Sequence, residues 1–262
     1  MTAMTRVIKV GGRPQSDPAL AGALAAGWQR GSGHGAAGGL VLVHGGGDEV
    51  STLQAALGGT ATFVNGRRVT TAKDIDLVRM ALSGSANKRL VSNLVENGIN
   101  AVGLSGEDAS LIGASPMDAE HLGFVGAPMT VNVAFLRHLL CGGYLPVISP
   151  VSRDATGTLG AALNVNGDDA AAAIAVALGA AELLLVSDVE GVMRDGVVIP
   201  ALTSANARTL MTDGTAVGGM RAKLQAGLAA IAGGVPRVRI SDIKAIDDLS
   251  RGTVLRAIGD FS

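Results

Sequence analysis

Lys9 stands inside the apolar run Arg6-Val7-Ile8-Lys9-Val10 and is followed at once by Gly11-Gly12. Lys223 comes after Gly218-Gly219-Met220-Arg221-Ala222. Between them, Val41-Leu42-Val43-His44 runs into Gly45-Gly46-Gly47-Asp48. A lysine supplies a mobile point charge, and glycine turns after buried strands let backbone N–H groups approach an anion. These are the parts of a phosphate site. Yet no glycine is directly followed by lysine anywhere in the chain, so the G-x-x-x-x-G-K-[ST] loop is absent.

A lysine in a buried strand is costly unless it is paired or faces a cleft. By position alone, Lys9 reads equally well as functional or as an edge-strand residue whose ammonium snorkels out. Gly11 and Gly12 favour function, because they leave room for a ligand beside the ammonium. Three consecutive glycines exceed what a strand–helix turn needs, so Gly45, Gly46 and Gly47 read as anion contacts, with His44 orienting their loop. In Asn65-Gly66-Arg67-Arg68-Val69-Thr70 an arginine suits bidentate capture of a carboxylate, although alone the pair reads as solvated charge. Leu163-Asn164-Val165-Asn166-Gly167-Asp168-Asp169 is either a simple capping cluster or a polar set that holds substrate and orients two lysines. Asp188, in Val186-Ser187-Asp188-Val189-Glu190-Gly191, ends a buried strand, where α/β sheets place ligand contacts.

Continuous apolar runs predict strands at Arg6–Val10, Leu40–Val43, Ala101–Leu104, Leu145–Ile148, Leu183–Val186 and Val238–Ile240, as expected of parallel strands covered on both faces. Helical periodicity fills the gaps. Val50, Leu53 and Leu57 share a face, as do Ile75, Val78 and Leu82, and Leu90 and Leu94 continue until Gly98. Asn132 can cap Val133–Leu140, with Gly142 as the stop, and Asp168 or Asp169 can cap the Ala-rich stretch through Gly179. Asp195-Gly196 reads as a hairpin turn, and a second hairpin is expected around Gly126–Val133. The alternation specifies an α/β fold: a parallel sheet with helices on both sides. The Pro146–Gly160 region is the best boundary, dividing lobes that share one sheet.

The chain has 262 residues, 48% hydrophobic and 16% charged, enough for a sizeable core. Net charge is −1 and aromatics are 2%, which argues against a nucleic-acid surface. The single Cys141 reads as a small buried hydrophobe and, with no internal disulfide possible, points to a reducing compartment, the cytoplasm. No apolar stretch is long enough for a membrane span, and Met1–Thr5 leave no room for a signal peptide before the first strand. Gly33-x-Gly35-x-x-Gly38 matches a dinucleotide fingerprint literally but precedes a strand instead of following one, so it reads as a loop.

Taken in order, these strings, with Ala86-Asn87-Lys88, Gly103-Leu104-Ser105-Gly106 and Leu145-Pro146-Val147-Ile148-Ser149, resemble the amino acid kinase family, and within it the acetylglutamate kinases. The resemblance covers nearly the whole chain. It implies a three-layer αβα sandwich around a mainly parallel sheet, in which an N-terminal lobe (about 1–160) binds N-acyl-glutamate and a C-terminal lobe (about 161–262) binds ATP with Mg²⁺. The implied reaction phosphorylates the side-chain carboxylate of N-acetyl-L-glutamate, the second step of arginine biosynthesis. The alternatives are a kinase for another N-acylated amino acid (N-succinyl-glutamate or carrier-linked aminoadipate) or a non-catalytic nucleotide-binding relative. By the same resemblance, Lys9, Lys223 and Asp168 are catalytic. Gly45, Gly46, Gly47, Arg68 and Asn164 bind substrate, Gly11, Gly12 and Asp188 bind the nucleotide, and no residue binds metal directly. The family's mobile N-terminal helix has no counterpart before Arg6, so a homodimer is expected. The chain departs from the family pattern at Arg13-Pro14, at Glu107-Asp108-Ala109 and at Asn166-Gly167-Asp168, where Asn-Ala-Asp is usual.

Overall fold

The computed structural model describes residues 5–31, 39–64 and 66–256. The Gly33–Gly38 loop, Asn65 and residues 1–4 lie outside these. Among the described residues, eleven strands form one sheet: β1 (Arg6–Val10), β2 (Leu40–His44), β3 (Ala101–Gly106), β4 (Ile112–Pro116), β5 (Val125–Val131), β6 (Leu145–Asp154), β7 (Ala162–Val165), β8 (Glu182–Val186), β9 (Ala201–Thr203), β10 (Val238–Ser241) and β11 (Thr253–Arg256). Their order is β9-β11-β10-β8-β1-β2-β6-β4-β5-β7, with β3 also pairing β6. The centre is parallel: β1 pairs β2 and β8, β8 pairs β10, and β6 pairs β2 and β3. Antiparallel pairs lie toward the flanks, at β10–β11, β4–β5 and β6–β7. All six expected strands are present.

Helices cover both faces: α1 (Ala19–Gly31), α2 (Gly47–Ala56), α3 (Asp74–Val78), a π-helical stretch at Arg79–Ala86, α4 (Asn87–Glu96), α5 (Val133–Cys141), α6 (Gly167–Leu178), α7 (Ser204–Thr212) and α8 (Gly218–Ala232). The period-2 alternation of a strand sorts side chains between the two layers. Val7 and Val43 pack with Ala171 and Ile174 of α6 and Leu224 of α8. Ile8, Val10 and Leu42 pack with Leu20 and Leu24 of α1 and Leu90 and Leu94 of α4. The result is a three-layer αβα sandwich. Lys9 shares its face with Val7 and is therefore aimed at α6.

Four expectations change. Asn166, not Asp168 or Asp169, caps α6: its Oδ1 accepts from the Asp168 and Asp169 amides at 2.8 and 3.4 Å. Gly126–Val133 is not a hairpin. Val125–Val131 is a single strand paired antiparallel with β4, where a register shift at Gly113/Ala114 accommodates Pro128, which has no N–H to give. Cys141 is exposed: it lies five residues beyond the buried Leu136 of α5, about 140° around the helix. Finally, Lys9 is no edge-strand lysine, because β1 is paired on both sides. The Asp195-Gly196 turn joins Met193–Arg194 to Val197–Val198 with φ of 53° and 78°, and Asn132 caps α5 by accepting from the Phe135 amide. The Pro146–Gly160 segment comprises most of β6 and a turn in which the Asp154 carboxylate accepts from the Thr156, Leu159 and Gly160 amides. Among the described residues, no helix is long and apolar enough to cross a membrane.

On the other side of β1, β8 and β10 are locked by ions. Arg239 is fully buried, and its Nε donates to Glu182 Oε1 at 2.6 Å, while its terminal nitrogens donate to the carbonyls of Ala245, Asp248 and Arg251. Arg6 Nε reaches the other Glu182 oxygen at 2.7 Å. Burial opposes ionisation of Glu182, but Arg239 and Arg6 outweigh it and hold the carboxyl below its ordinary range. Removing one partner of a buried pair leaves an uncompensated charge. Glu182→Ala is therefore expected to lower unfolding stability by about 3–5 kcal/mol in urea titrations. A loss below about 1 kcal/mol would show that the carbonyl bonds alone hold Arg239.

Candidate active site

Because β1, β2 and β8 are parallel, the turns that follow them gather at one edge of the sheet: Gly11-Gly12, Gly45-Gly46-Gly47 and Ser187-Asp188. The first turn of α6 arrives at the same place. There the Asp168 carboxylate lies between two ammonium groups. Lys9 Nζ is 3.0 Å from Asp168 Oδ1, and Lys223 Nζ is 3.3 Å from both carboxylate oxygens. All three side chains are buried, with residue exposures of 7%, 8% and 4% for Lys9, Lys223 and Asp168. The asparagine cap explains why Asp168 is available. Asn166 satisfies the helix amides, so the aspartate is free to face the lysines.

Electrostatics bind the three groups together. Burial disfavours the Asp168 anion, but Lys9 and then Lys223 overcome this, and its pKa falls below the ordinary aspartate value. Lys223 is pulled down to about 8, first by burial and then by the neighbouring Lys9, against the attraction of Asp168. The cluster carries two cations and one anion, so it has one positive charge in excess, and Gly45 and Gly167 beside Lys9 also line a cleft.

Two glycines, Gly11 and Gly167, make room for Lys9. A β-carbon on Gly11 would lie 2.6 Å from Lys9 Nζ, and one on Gly167 would lie 3.1 Å from Lys9 Cε. One on Gly45 would lie 3.4 Å from Gly11 Cα and 3.9 Å from Lys9 Nζ. Gly46 is needed for another reason: its φ is 139°, and a β-carbon there would strike Leu82 Cδ2 at 2.7 Å. Gly12, with φ of 63°, opens the Arg13–Ser16 turn.

His44 is fully buried, and its Nδ1 lies 2.8 Å from the Gly45 carbonyl oxygen. Gly45 is thus held at both ends, since its own N–H donates to Val10 O at 2.8 Å. Gly46 and Gly47 follow as the cap and first residue of α2, whose opening amides point along the positive end of the helix dipole.

Gly45, Gly46, Gly47, Arg68 and Asn164 line one cleft of about 180 Å³, together with Asn166 and Gly167. The Arg68 guanidinium is buried and stacks 4.8 Å from the Phe63 ring centre. Its Nη2 donates to Gly47 O at 2.9 Å and Ser51 Oγ at 2.6 Å, and Nη1 donates to Gln54 Oε1 at 3.0 Å. Three of its five N–H groups are therefore already engaged, and a two-pronged grip on a ligand would have to displace Ser51 or Gly47. Asn164 Nδ2 donates to Thr70 Oγ1 at 3.0 Å, leaving its carbonyl side and one N–H for the cleft. Asp188 is apart from the lysine cluster. It is exposed beyond β8 and accepts from Ser187 Oγ at 3.3 Å.

Sequence reasoning missed several contributors. Arg67 pairs with Asp169 at 2.9 Å, a contact with no sequence signal because 102 positions separate the two. Asn87 is fully buried and bonds His44, although it opens the polar run Asn87-Lys88-Arg89, which gives no sequence signal of burial. Glu107 is not a free lining residue: Arg79 grips it with two bonds of 2.9 Å. Arg13 points to solvent beside the buried Pro14.

The chain as a whole is similar to known proteins. Residues 4–242 match the family model described as "Amino acid kinase family". An acetylglutamate kinase of Chloroflexus aurantiacus is 43% identical over 247 residues, covering 92% of this chain and 93% of that protein. One from Geobacillus kaustophilus is 43% identical over 201 residues, 77% of each chain. Among solved structures, smu.665 of Streptococcus mutans superposes with a TM-score of 0.86 at 28% identity, covering 98% of this chain and 99% of the other. The N-acetylglutamate synthase of Neisseria gonorrhoeae, complexed with coenzyme A and N-acetyl-glutamate, gives 0.80 at 27% identity, with 98% of this chain covering 60% of that one. Matched along most of its length and built around the same sandwich, the chain belongs to the amino acid kinase family.

Proposed function

We propose that this protein is an enzyme that phosphorylates the side-chain carboxylate of N-acetyl-L-glutamate from ATP, giving N-acetyl-L-glutamyl 5-phosphate. The observation that carries the reading is the pair of buried lysines held on one aspartate beside a glycine turn, and the names of the 43%-identical relatives support it. An excess positive charge in a partly desolvated cleft is stabilised by an anionic ligand, and most of all when negative charge concentrates between the reacting groups.

The acceptor carboxylate is ionised near neutral pH, so the chain need not supply a strong base. Its residues bind, orient and neutralise. In this reading Lys9 and Lys223 neutralise charge on the transferring phosphoryl group, and Asp168 keeps the two ammonium groups apart and aimed. The amides of Gly46 and Gly47 add donors at the end of α2, while Gly11 and Gly12 leave space beside Lys9. Arg68 and Asn164 hold the acyl-glutamate. ATP with Mg²⁺ supplies the phosphoryl group. In this reading the Mg²⁺ ion would be carried by the nucleotide phosphates and water rather than by a cage of side chains. We assign acyl-glutamate binding mainly to residues about 1–160, joined by Asn164 just beyond them, and ATP to residues about 161–262, including Asp188. A homodimer working in the cytoplasm, where ATP is made available, completes the reading.

The direct test is product trapping. Hydroxylamine should convert the acyl phosphate to a coloured hydroxamate only when ATP·Mg²⁺ and N-acetyl-glutamate are both present. ATP binding without hydroxamate from any N-acyl-glutamate would sink the proposal.

Lys223 gives a pH signature. Its charge is lost as pH rises through about 8 in the free enzyme, so kcat/KM should fall on the alkaline side of that value. Lys223→Ala should lower kcat on the order of 10²–10³ and abolish that limb. A flat profile to pH 9.5 in wild type would show that Lys223 is not the titrating group.

Arg68→Lys keeps the charge but loses the planar fork that reaches Gln54, Ser51 and Gly47 together. KM for acyl-glutamate should rise about tenfold, with KM for ATP nearly constant. The opposite pattern would remove Arg68 from the substrate side.

A further inference from the structure

His44 is a fully buried titratable group beside the glycine turn that the reaction does not use. It ends β2, has no exposure to solvent, and is joined on both ring nitrogens. Nδ1 lies 2.8 Å from Gly45 O, which can only accept, so Nδ1 carries the proton. Nε2 lies 3.1 Å from Asn87 Nδ2. That amide nitrogen is itself fixed as the donor end, because it also bonds Val147 O at 2.9 Å and Leu104 O at 3.4 Å, while Lys88 Nζ donates to Asn87 Oδ1 at 3.1 Å. An amide NH₂ does not accept, so Nε2 must be bare. The two contacts together admit one state of the ring: neutral, with its proton on Nδ1.

The bridge has a purpose that packing alone would not need. A Leu or Met would fill a dry site between β2, β3, β6 and α4 without the cost of burying an imidazole and a carboxamide. What the imidazole adds is a grip on one carbonyl, that of Gly45. Gly45 has its N–H bonded to Val10 O, and its Cα side lies against Gly11 and the Lys9 ammonium. With both of its polar groups held, Gly45 is the fixed post from which Gly46 and Gly47 swing into the first turn of α2.

We infer that His44 is a positioning residue: as the neutral Nδ1–H tautomer it ties the Gly45 carbonyl to Asn87, and so through α4 and β6 sets the glycine turn against the Lys9 ammonium. This rests on the phosphoryl-transfer reading. His44 touches no reacting atom. A turn displaced by even about 1 Å moves the Gly46 and Gly47 amides away from the charge they stabilise, which costs turnover more than binding.

Two substitutions and one measurement on the wild type test this. The side-chain nitrogen of asparagine can take the place of Nδ1 and donate to Gly45 O, and the side-chain oxygen of glutamine can take the place of Nε2 and accept from Asn87. His44→Asn therefore retains the Gly45 bond and loses Asn87, whereas His44→Gln does the reverse. The expected result is kcat within about threefold of wild type for His44→Asn and at least about tenfold lower for His44→Gln, with both KM values within about threefold. Equal kcat in the two variants, or a loss that appears only in KM, would overturn the assignment. In the wild type, ¹⁵N NMR of the imidazole should report protonation at Nδ1 alone, and a proton on Nε2 would overturn it whatever the variants do. The NMR measurement needs no substrate. If wild-type protein forms no hydroxamate from any N-acyl-glutamate, the reaction is misread, and the tautomer still decides whether the Gly45 grip exists.

Discussion

Two lysines share one aspartate in the interior, and the rest of the site is arranged around that imbalance. A single buried ion pair must recover its desolvation cost through close geometry. Here a second cation is added to the same carboxylate, so the cost is not fully recovered within the protein. The descent of Lys223 to about 8 shows the strain: burial and Lys9 together outweigh the help of Asp168. Such a cluster is stable only because the sandwich around it determines its shape, and it is most at ease with an anion beside it. That is the sense in which an active site is built at the expense of local stability.

The surrounding fold supplies the confinement. β1 is central, so Lys9 cannot shift sideways without breaking pairing on two sides. Its face is chosen by alternation from Val7, whose neighbours are α6 and α8, the two helices that bring Asp168 and Lys223. The Glu182–Arg239 lock fastens β8 and β10 next door, and the aliphatic layers on either side leave little freedom for β1 to move. The sheet thus acts as the common reference on which groups as distant in sequence as Lys9 and Asp168 are brought within hydrogen-bond reach.

The parts of this arrangement that obey local rules could be read from the sequence. Continuous apolar runs marked the six inner strands, and glycine after a strand marked the turns. β4, β5, β7, β9 and β11 were not legible, because they are short, rich in Ala, Gly or Pro, or near the ends of the sheet, where partner strands decide the conformation. The cap of α6 lies two or three residues before the expected Asp168 or Asp169, because Asn166, Asp168 and Asp169 all suit the position; only the demand of two lysines for a carboxylate settles which one is left over. Lys9, Lys223 and Asp168 were identified as a set through resemblance, and the structure shows them in contact. Arg67–Asp169, Arg79–Glu107 and the His44–Asn87 bridge are tertiary pairs without any local pattern.

Gly167 shows how fine the fit around Lys9 is. In the family pattern that the sequence resembles, alanine stands between the asparagine and the aspartate, where this chain has Gly167. A β-carbon here would sit 3.1 Å from Lys9 Cε and 3.5 Å from His44 O, closer than ordinary contact on the lysine side. With glycine, the Lys9 stem can lie directly over the first turn of α6 and still reach Asp168 at 3.0 Å. The absent methyl group costs some helix propensity at an N-terminal position, where that cost is small because the turn is already secured by Asn166. The asparagine cap, the missing β-carbon and the free carboxylate are therefore one device: the cap stabilises a helix start that glycine weakens, glycine admits the lysine, and the lysine needs the aspartate that the cap has left unused.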